Sequence, residues 1–315
     1  MTALWDLWLP IAFVAPVIWA LEGLLDLYMV HDVYQDEWDG MVISGLFMLV
    51  PWLLPALGIL EFNSLPTQAM CLALLSGAIY LGSYWFYFRA LFRFPDSPLI
   101  YVLWDTQVLV VPFLAWAWLD ERLLPVHYLG IGLAFLGASL FSLRPGLLKQ
   151  GFLTIVPSVL CAVFLFAAAM VVQDEVYRLA EGQFFDVFLT FLLGGALVAC
   201  LVVLARPDVT RIRLRRLARF SPGFIVIMGF SEIVSCSVIL FSQRAIDLSP
   251  SVSFVSAIES SSTVFILLAS LALAMILERT RHKDVATLFR QQTIGWQEKL
   301  LAMTLMSVGI YCIAG

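Results

Sequence analysis

The sequence predicts an all-α polytopic membrane protein in which ten transmembrane helices form two inverted five-helix repeats. Three observations lead to this prediction: an apolar composition, recurring apolar stretches of about 18 or more residues, and motifs of the first half that return in the second. Of the 315 residues, 62% are hydrophobic and 13% are charged. Soluble domains are about half apolar and a quarter charged, so the composition indicates a lipid environment.

Ten apolar segments are long enough to be predicted as membrane-spanning helices. Helices satisfy their own backbone hydrogen bonds in lipid, and the sequence lacks the alternating pattern of a transmembrane barrel. The first segment follows no basic leader, so we expect it to be retained. The predicted spans are residues 8–30, 41–60, 68–88, 97–119, 124–143, 151–173, 184–205, 222–242, 250–277 and 297–314.

Basic residues are distributed unequally between the predicted loops. With ten spans, the loops after odd-numbered helices share one side of the membrane, and that side collects fifteen of the eighteen Lys and Arg residues. Because basic loops face the cytoplasm, we expect odd loops to be cytoplasmic and both termini to be non-cytoplasmic. The expected location is the plasma membrane, as a multi-pass protein of the bacterial inner-membrane type.

The two longest connections, residues 206–221 and 278–296, are basic and carry apolar residues at helical spacing. Such segments commonly lie on the anionic cytoplasmic surface of a bilayer, so membrane lipids are expected partners. Nucleic-acid binding is not expected, since the sequence has neither a soluble domain nor interleaved aromatic residues there. The five cysteines fall inside predicted spans without a CxxC pair, which indicates packing roles and no metal site.

Three motifs of the first half recur in the same order in the second half. An odd number of spans per half gives the halves opposite orientations, which is the inverted repeat of many secondary transporters. The predicted units are residues 1–147 and 148–315. The paired motifs are Arg89–Pro95 (RALFRFP) with Arg244–Pro250 (RAIDLSP), Leu119–Arg122 (LDER) with Ile276–Arg279 (ILER), and Val30–Tyr34 (VHDVY) with Val172–Tyr177 (VQDEVY).

Five acidic residues lie at membrane depth within the predicted spans, and no Lys or Arg lies near the middle of any span. A carboxylate at membrane depth is costly unless it faces a cavity or a partner. The set therefore predicts protonated carboxyls, a bound coupling proton or sodium ion, or a cationic substrate. The five residues are Glu22, Asp26, Asp105, Glu232 and Glu259.

Four of the five acids form two pairs. Glu22 and Asp26 are four residues apart and share one helix face, so both cannot ionise cheaply and at least one is expected to hold a proton. Hydration near the headgroups is the alternative for Asp26. Asp105 and Glu259 follow the prolines of their repeats by ten and nine residues, so inverted symmetry would place them on opposite sides of one central site.

Aromatic and amide side chains accompany the acids. Tyr84 belongs to a tyrosine stripe on the third span, and an aromatic face beside carboxylates can hold an organic cation. An interfacial aromatic belt is the alternative for the stripe. The residues predicted to bind substrate or proton are Glu22, Asp26, Tyr84, Trp104, Asp105, Gln107, Glu232, Gln243 and Glu259.

These motifs resemble the drug/metabolite transporter superfamily, specifically its EamA-type ten-helix members. The resemblance rests on the A-x-x-x-x-P starts of the fourth and ninth helices, the L-x-E-R exits and a glycine-rich fifth helix. It implies a secondary transporter with a central cavity and alternating access. The expected substrate is a small amphipathic or cationic metabolite, such as an amine or amino-acid-like compound, and proton coupling is expected.

Two other functions stay open from the sequence. A flippase for a lipid-linked substrate is the alternative within transport, and a membrane-embedded enzyme or a non-transporting subunit is the alternative outside it. No nucleotide-binding loop, HExxH or CxxC motif is present. We therefore expect no enzyme, no catalytic residue, no cofactor and no metal.

Overall fold

A computed structural model describes residues 7–93, 100, 103–142, 152–206, 222–266, 268–269 and 296–314. Within these ranges the chain forms helices and turns and no strand. A 3-10 turn, Val50–Trp52, and a short helical turn, Leu53–Ala56, continue the second helix. The helices are α1 (Trp8–Asp32), α2 (Glu37–Phe47), α3 (Thr67–Arg93), α4 (Gln107–Leu119), α5 (Pro125–Ser142), α6 (Phe152–Leu179), α7 (Phe184–Ala205), α8 (Pro222–Leu248), α9 (Val252–Glu259) and α10 (Trp296–Ala314).

Each predicted span overlaps one of these helices, so the all-helical prediction is confirmed for the part of the chain that is described. Six segments there are long and apolar enough to cross a membrane: α1, α2 with its continuation, α3, α6, α7 and α8. The apolar helices at α4, α5, α9 and α10 are shorter over their described lengths. The ten-helix count and the inverted repeat stay predictions.

Large apolar side chains cover the outside of the bundle. Trp118 of α4 is 66% exposed, and Leu201 and Leu204 of α7 are 65% and 74% exposed. A water-soluble monomer rarely exposes apolar surface on this scale. The surface fits lipid, as expected for a multi-pass membrane protein.

Helices of the first half pack mainly against helices of the second half. Helix α3 contacts α6 and α7, α1 contacts α8 and α9, α4 contacts α6 and α9, and α5 contacts α10. The two predicted halves can be compared by replacing each helix with the one five places along the chain. Under this exchange the α1–α8 contact becomes the α6–α3 contact, and the α1–α9 contact becomes the α6–α4 contact. The same exchange maps the α4–α9 and α5–α10 contacts onto themselves.

Glycines permit the closest of these approaches. A Cβ atom added at Gly77 of α3 would lie 1.8 Å from the carbonyl oxygen of Phe191 on α7. Gly130 of α5 and Gly309 of α10 face each other, and a Cβ on either would lie 2.6 or 2.5 Å from the other's carbonyl oxygen. Small residues at such positions let helix backbones meet in a membrane.

Several features predicted from the sequence lie outside the described residues. They are Pro95, the second exit motif at Ile276–Arg279, residues 207–221 of the first basic loop, and residues 278–295 of the second. Their predicted roles are unchanged.

Candidate functional site

A cavity of about 30 Å³ lies between α1, α3, the start of α4 and the end of α9. This volume holds only a few water molecules, so the cavity is closed to a metabolite in this conformation. Five of the predicted binding residues line it: Asp26, Tyr84, Trp104, Gln107 and Glu259.

Glu22 lies beside this cavity and is 2% exposed. The hydroxyl of Tyr84 donates to Oε1 of Glu22 at 3.1 Å, and the Tyr80 hydroxyl lies 3.0 Å from that of Tyr84. Because a tyrosine has one proton to donate, Tyr80 donates to Tyr84 and Tyr84 donates to Glu22. Within the described residues, Oε2 of Glu22 has no hydrogen-bond partner, although Ser235 of α8 lies nearby.

Asp26 lies one helical turn from Glu22 on α1 and is 8% exposed. Its carboxyl group receives a hydrogen bond from Tyr87 of α3 and interacts electrostatically with Glu22 and Glu232. Three acids from two helices are therefore close enough to influence one another. Adding or removing a proton on one of them changes the affinity of the others for protons.

Glu259 is the last residue of α9 and is 2% exposed. The hydroxyl of Ser242 on α8 donates to its Oε1 at 2.5 Å. The other carboxyl oxygen of Glu259 has no hydrogen-bond partner in the described part of the chain. One half of this buried carboxyl group thus remains able to accept a donor from a ligand.

The helical path of the fourth span is interrupted at its acid. Asp105 and Thr106 form a turn immediately before α4. The Thr106 hydroxyl donates to the carbonyl oxygen of Leu103, three residues earlier, at 2.6 Å.

The ninth span is interrupted in a similar way. Ser260 and Ser261 form a turn directly after Glu259, and helix resumes over residues 262–266. The Ser260 hydroxyl donates to the carbonyl oxygen of Ala257, also three residues earlier, at 2.7 Å. In both spans the residue after the acid makes this bond. Short 3-10-type turns inside a helix often mark a functional hinge.

Besides Glu22, three other predicted residues do not line the cavity. Asp105 is 2% exposed and its Oδ2 has no hydrogen-bond partner among the described residues. Glu232 of α8 accepts hydrogen bonds from Tyr34 and Ser44, and Gln243 accepts one from Tyr177. Of the predicted set, the structure thus brings Asp26, Tyr84, Trp104, Gln107 and Glu259 to the cavity with Glu22 beside it.

Arg89 of α3 and Arg244 of α8 make aromatic contacts. The Arg89 guanidinium lies 4.9 Å from the ring centre of Trp85, and that of Arg244 lies 5.0 Å from the ring of Phe184. Arg244 also pairs with Asp247 at 2.5 Å. Among the described residues that line the cavity there is no Lys or Arg. Among all the residues that the structure describes, there is no cluster of His, Cys, Asp and Glu that could hold a metal ion.

The residues predicted from the sequence do not include Trp19, Tyr87 and Ser242, which also belong to this site. Trp19 and Tyr87 line the cavity, and both carried a signal: Trp19 lies one turn before Glu22, and Tyr87 continues the stripe of Tyr84. Ser242 carried none, because its bond to Glu259 joins two helices and no local pattern reports it.

Comparisons with known proteins support the resemblance stated above. Residues 6–143 match the model of the EamA-like transporter family, which confirms the resemblance to the drug/metabolite transporter superfamily over the first predicted unit. A solved structure described only as the crystal structure of a protein is 14% identical, with a TM-score of 0.65. The alignment covers 100% of this chain and 99% of that one, and at this identity it shows the fold alone. No curated protein matches the chain.

Proposed function

We propose that this multi-pass membrane protein with an EamA-like transporter unit is a secondary transporter that exchanges a small organic cation for protons. The observation that supports this most directly is the group of carboxyls at the cavity. Asp26 and Glu259 line it and Glu22 lies beside it, and no Lys or Arg of the described lining neutralises them. A buried acidic set without a fixed cation needs a proton or a cationic ligand.

Aromatic rings at the same cavity favour an organic cation over a metal ion. Tyr87 stands between Tyr84 and Trp104, with ring centres 6.2 and 5.3 Å away. Rings attract a cation that lies over their faces, and nearby carboxylates add ion pairing. An amine or an amino-acid-like compound combines the charge and the apolar surface that such a cavity accepts.

Competition for the same carboxyls supplies the coupling in this proposal. Glu22 and Asp26 cannot both be charged cheaply at this depth, so protons occupy the cluster when no cation is bound. An arriving cation favours the charged carboxylates and displaces protons. Exchange of the cation for protons therefore follows from one shared site, and the proton gradient alone supplies the energy.

Alternating access is supported by two features of the fold. The contacts of α1 with α8 and α9 correspond to those of α6 with α3 and α4 when the two halves are interchanged, which agrees with predicted units at 1–147 and 148–315. The spans that carry Asp105 and Glu259 are interrupted at those acids, and broken helices at a repeat interface are typical of transporter binding sites. Movement at these turns would open the closed cavity to one side at a time.

A quaternary ammonium ion is expected to stabilise the purified protein more at high pH than at low pH. Such an ion keeps its charge at every pH, so its binding depends only on how many carboxyls are deprotonated. A ligand at about 100 times its Kd stabilises the folded state by about 2.7 kcal/mol, which a thermal-shift titration detects. A shift that is equal at all pH values, or larger at low pH, would contradict the shared site.

Ser242→Ala is expected to weaken binding of the same ion. The change removes the hydrogen bond that favours the charged form of Glu259, and a bond to a charged group contributes about 1.5–3 kcal/mol. We expect about tenfold weaker binding by the same titration. Ser237→Ala is the matched control, because the half-buried Ser237 hydroxyl of α8 donates to the Ile233 carbonyl of its own helix and not to Glu259. Equal losses in both variants would count against a role for Glu259.

A further inference from the structure

We propose that Glu232, held by Tyr34 and Ser44, is a separate proton-exchange site that communicates with one side of the membrane through Tyr34. In the same proposal, Tyr177 and Gln243 form the equivalent pair toward the other side of the membrane, where the acceptor is an amide that cannot exchange a proton. The inference rests on the proposed proton coupling and names the group through which protons reach the shared cavity.

The Glu232 carboxyl is buried away from the cavity. It is 3% exposed, and its Oε1 accepts hydrogen bonds from the hydroxyls of Tyr34 and Ser44, both at 3.1 Å. These two donors come from the α1–α2 connection and from α2, whereas Glu232 belongs to α8. Two converging hydroxyls on one carboxyl oxygen form a built site that can hold the group in either protonation state.

Tyr34 is a buried residue in the connection between α1 and α2. It lies two residues beyond the end of α1, is 6% exposed, and packs edge-on against Phe88. Its neighbours His31 and Gln35 are exposed. Burial, and then the nearby Glu232, raise the pKa of Tyr34 well above its ordinary value. The hydroxyl therefore keeps its proton and remains a donor to Glu232 at neutral pH.

The charged and titratable neighbours connect Glu232 to the cavity. Asp26 and Glu22 of α1 interact electrostatically with it, as does the Cys236 thiol on its own helix. Asp39 of α2 faces Tyr34. All of these groups are acidic or neutral, so a proton that leaves Asp26 or Glu22 strengthens the hold of Glu232 on its own proton. Proton occupancy at the two places is thereby coupled.

Tyr177 of the second half can be compared with Tyr34 of the first half. Tyr177 closes the motif that repeats the one ending in Tyr34, and its hydroxyl donates to Oε1 of Gln243 at 3.0 Å. Gln243 is eleven residues after Glu232 on α8, about 16 Å along the helix axis. The two tyrosines thus meet α8 at different depths, and an amide cannot take up a proton as a carboxylate does. Proton exchange is assigned to the Tyr34 side, which is cytoplasmic in the predicted orientation.

Infrared titration of the purified full-length protein in lipid nanodiscs tests this site without any cargo. The signal is the C=O stretch of protonated carboxyl groups, followed over a range of pH. Glu232→Gln is expected to remove one titrating component. Tyr34→Phe is expected to move the midpoint of that component to higher pH by about one unit, because a donor to the charged form is lost. Tyr177→Phe is the matched control and is expected to leave that midpoint unchanged.

Two results would overturn the proposal: an unchanged titration in Glu232→Gln, or equal shifts in Tyr34→Phe and Tyr177→Phe. If Tyr34→Phe does not yield folded protein, Ser44→Ala removes the other donor to the same oxygen and must give a shift in the same direction. A different result would contradict the transport proposal. A protein that moves no organic cation but retains the Glu232 titration would remove the proposed function and leave this proton site in place.

Discussion

Glu22→Gln is expected to abolish most proton-driven uptake of an organic cation. The amide keeps the size of Glu22 and can still accept from Tyr84, but it can neither pair with a cation as a full charge nor hold a coupling proton. Loss of one partner of a buried charge pair costs about 3 kcal/mol, or about a hundredfold in affinity. Initial uptake rates in proteoliposomes measure the effect.

Glu181→Gln is the control for this variant. Glu181 is an exposed acid in the turn between α6 and α7, so its substitution changes net charge by the same amount without touching the cavity. We expect uptake by this control to match that of the unaltered protein. Equal uptake by the Glu22 and Glu181 variants would show that Glu22 has no part in transport.

Gly77→Ala is expected to cause the largest loss of stability among single small substitutions. Its Cβ would lie 1.8 Å from the Phe191 carbonyl oxygen, and a backbone atom cannot rotate away as a side chain can. Helices α3 and α7 must separate, which costs at least the roughly 1–3 kcal/mol of ordinary overpacking. Thermal unfolding in detergent should shift down by several degrees.

Gly82→Ala on the same helix is the matched control for Gly77→Ala. The nearest atom to its added Cβ is Leu165 Cδ1 at 4.0 Å, an ordinary contact. Alanine also has a higher helix propensity than glycine by up to about 1 kcal/mol, so Gly82→Ala should be neutral or slightly stabilising. Similar unfolding temperatures for the two variants would contradict the close α3–α7 crossing.

Hydropathy was sufficient to predict the helices, because lipid leaves the backbone few alternatives to helix. It was insufficient for their interruptions. The fourth span was predicted as continuous over residues 97–119, whereas α4 begins at Gln107 after a turn at Asp105 and Thr106. The hydroxyl of Thr106 bonds to a backbone carbonyl there, and such local competition with the helix does not alter an averaged hydropathy.

The candidate site was predictable where depth alone selects the residue. An acid inside an apolar span must find a cavity or a partner, and this reasoning led to Glu22, Asp26 and Glu259. It could not separate residues that line the cavity from those that do not. Asp105 was expected opposite Glu259, yet its neighbours Trp104 and Gln107 line the cavity and Asp105 does not. Which side of a turn faces inward depends on tertiary packing.

Hydrogen-bonded pairs of side chains on different helices could not be predicted from the sequence either. The partners Tyr34 and Glu232 are 198 residues apart, and Ser242 and Glu259 belong to different helices. Repeats indicate which segments are equivalent, but not which side chains meet after packing. Tyr34 and Tyr177 come from matching motifs and nevertheless donate to different acceptor types on one helix, Glu232 and Gln243.

Cation uptake by proteoliposomes with an acidic interior tests the central claim most directly. The panel contains quaternary ammonium ions, primary amines and amino-acid amides, each with and without a protonophore. We predict that at least one accumulates, that the protonophore abolishes accumulation, and that Glu22→Gln and Glu259→Gln lose it. The contradicting result is that no member accumulates above protein-free liposomes, or that both variants accumulate it as the unaltered protein does.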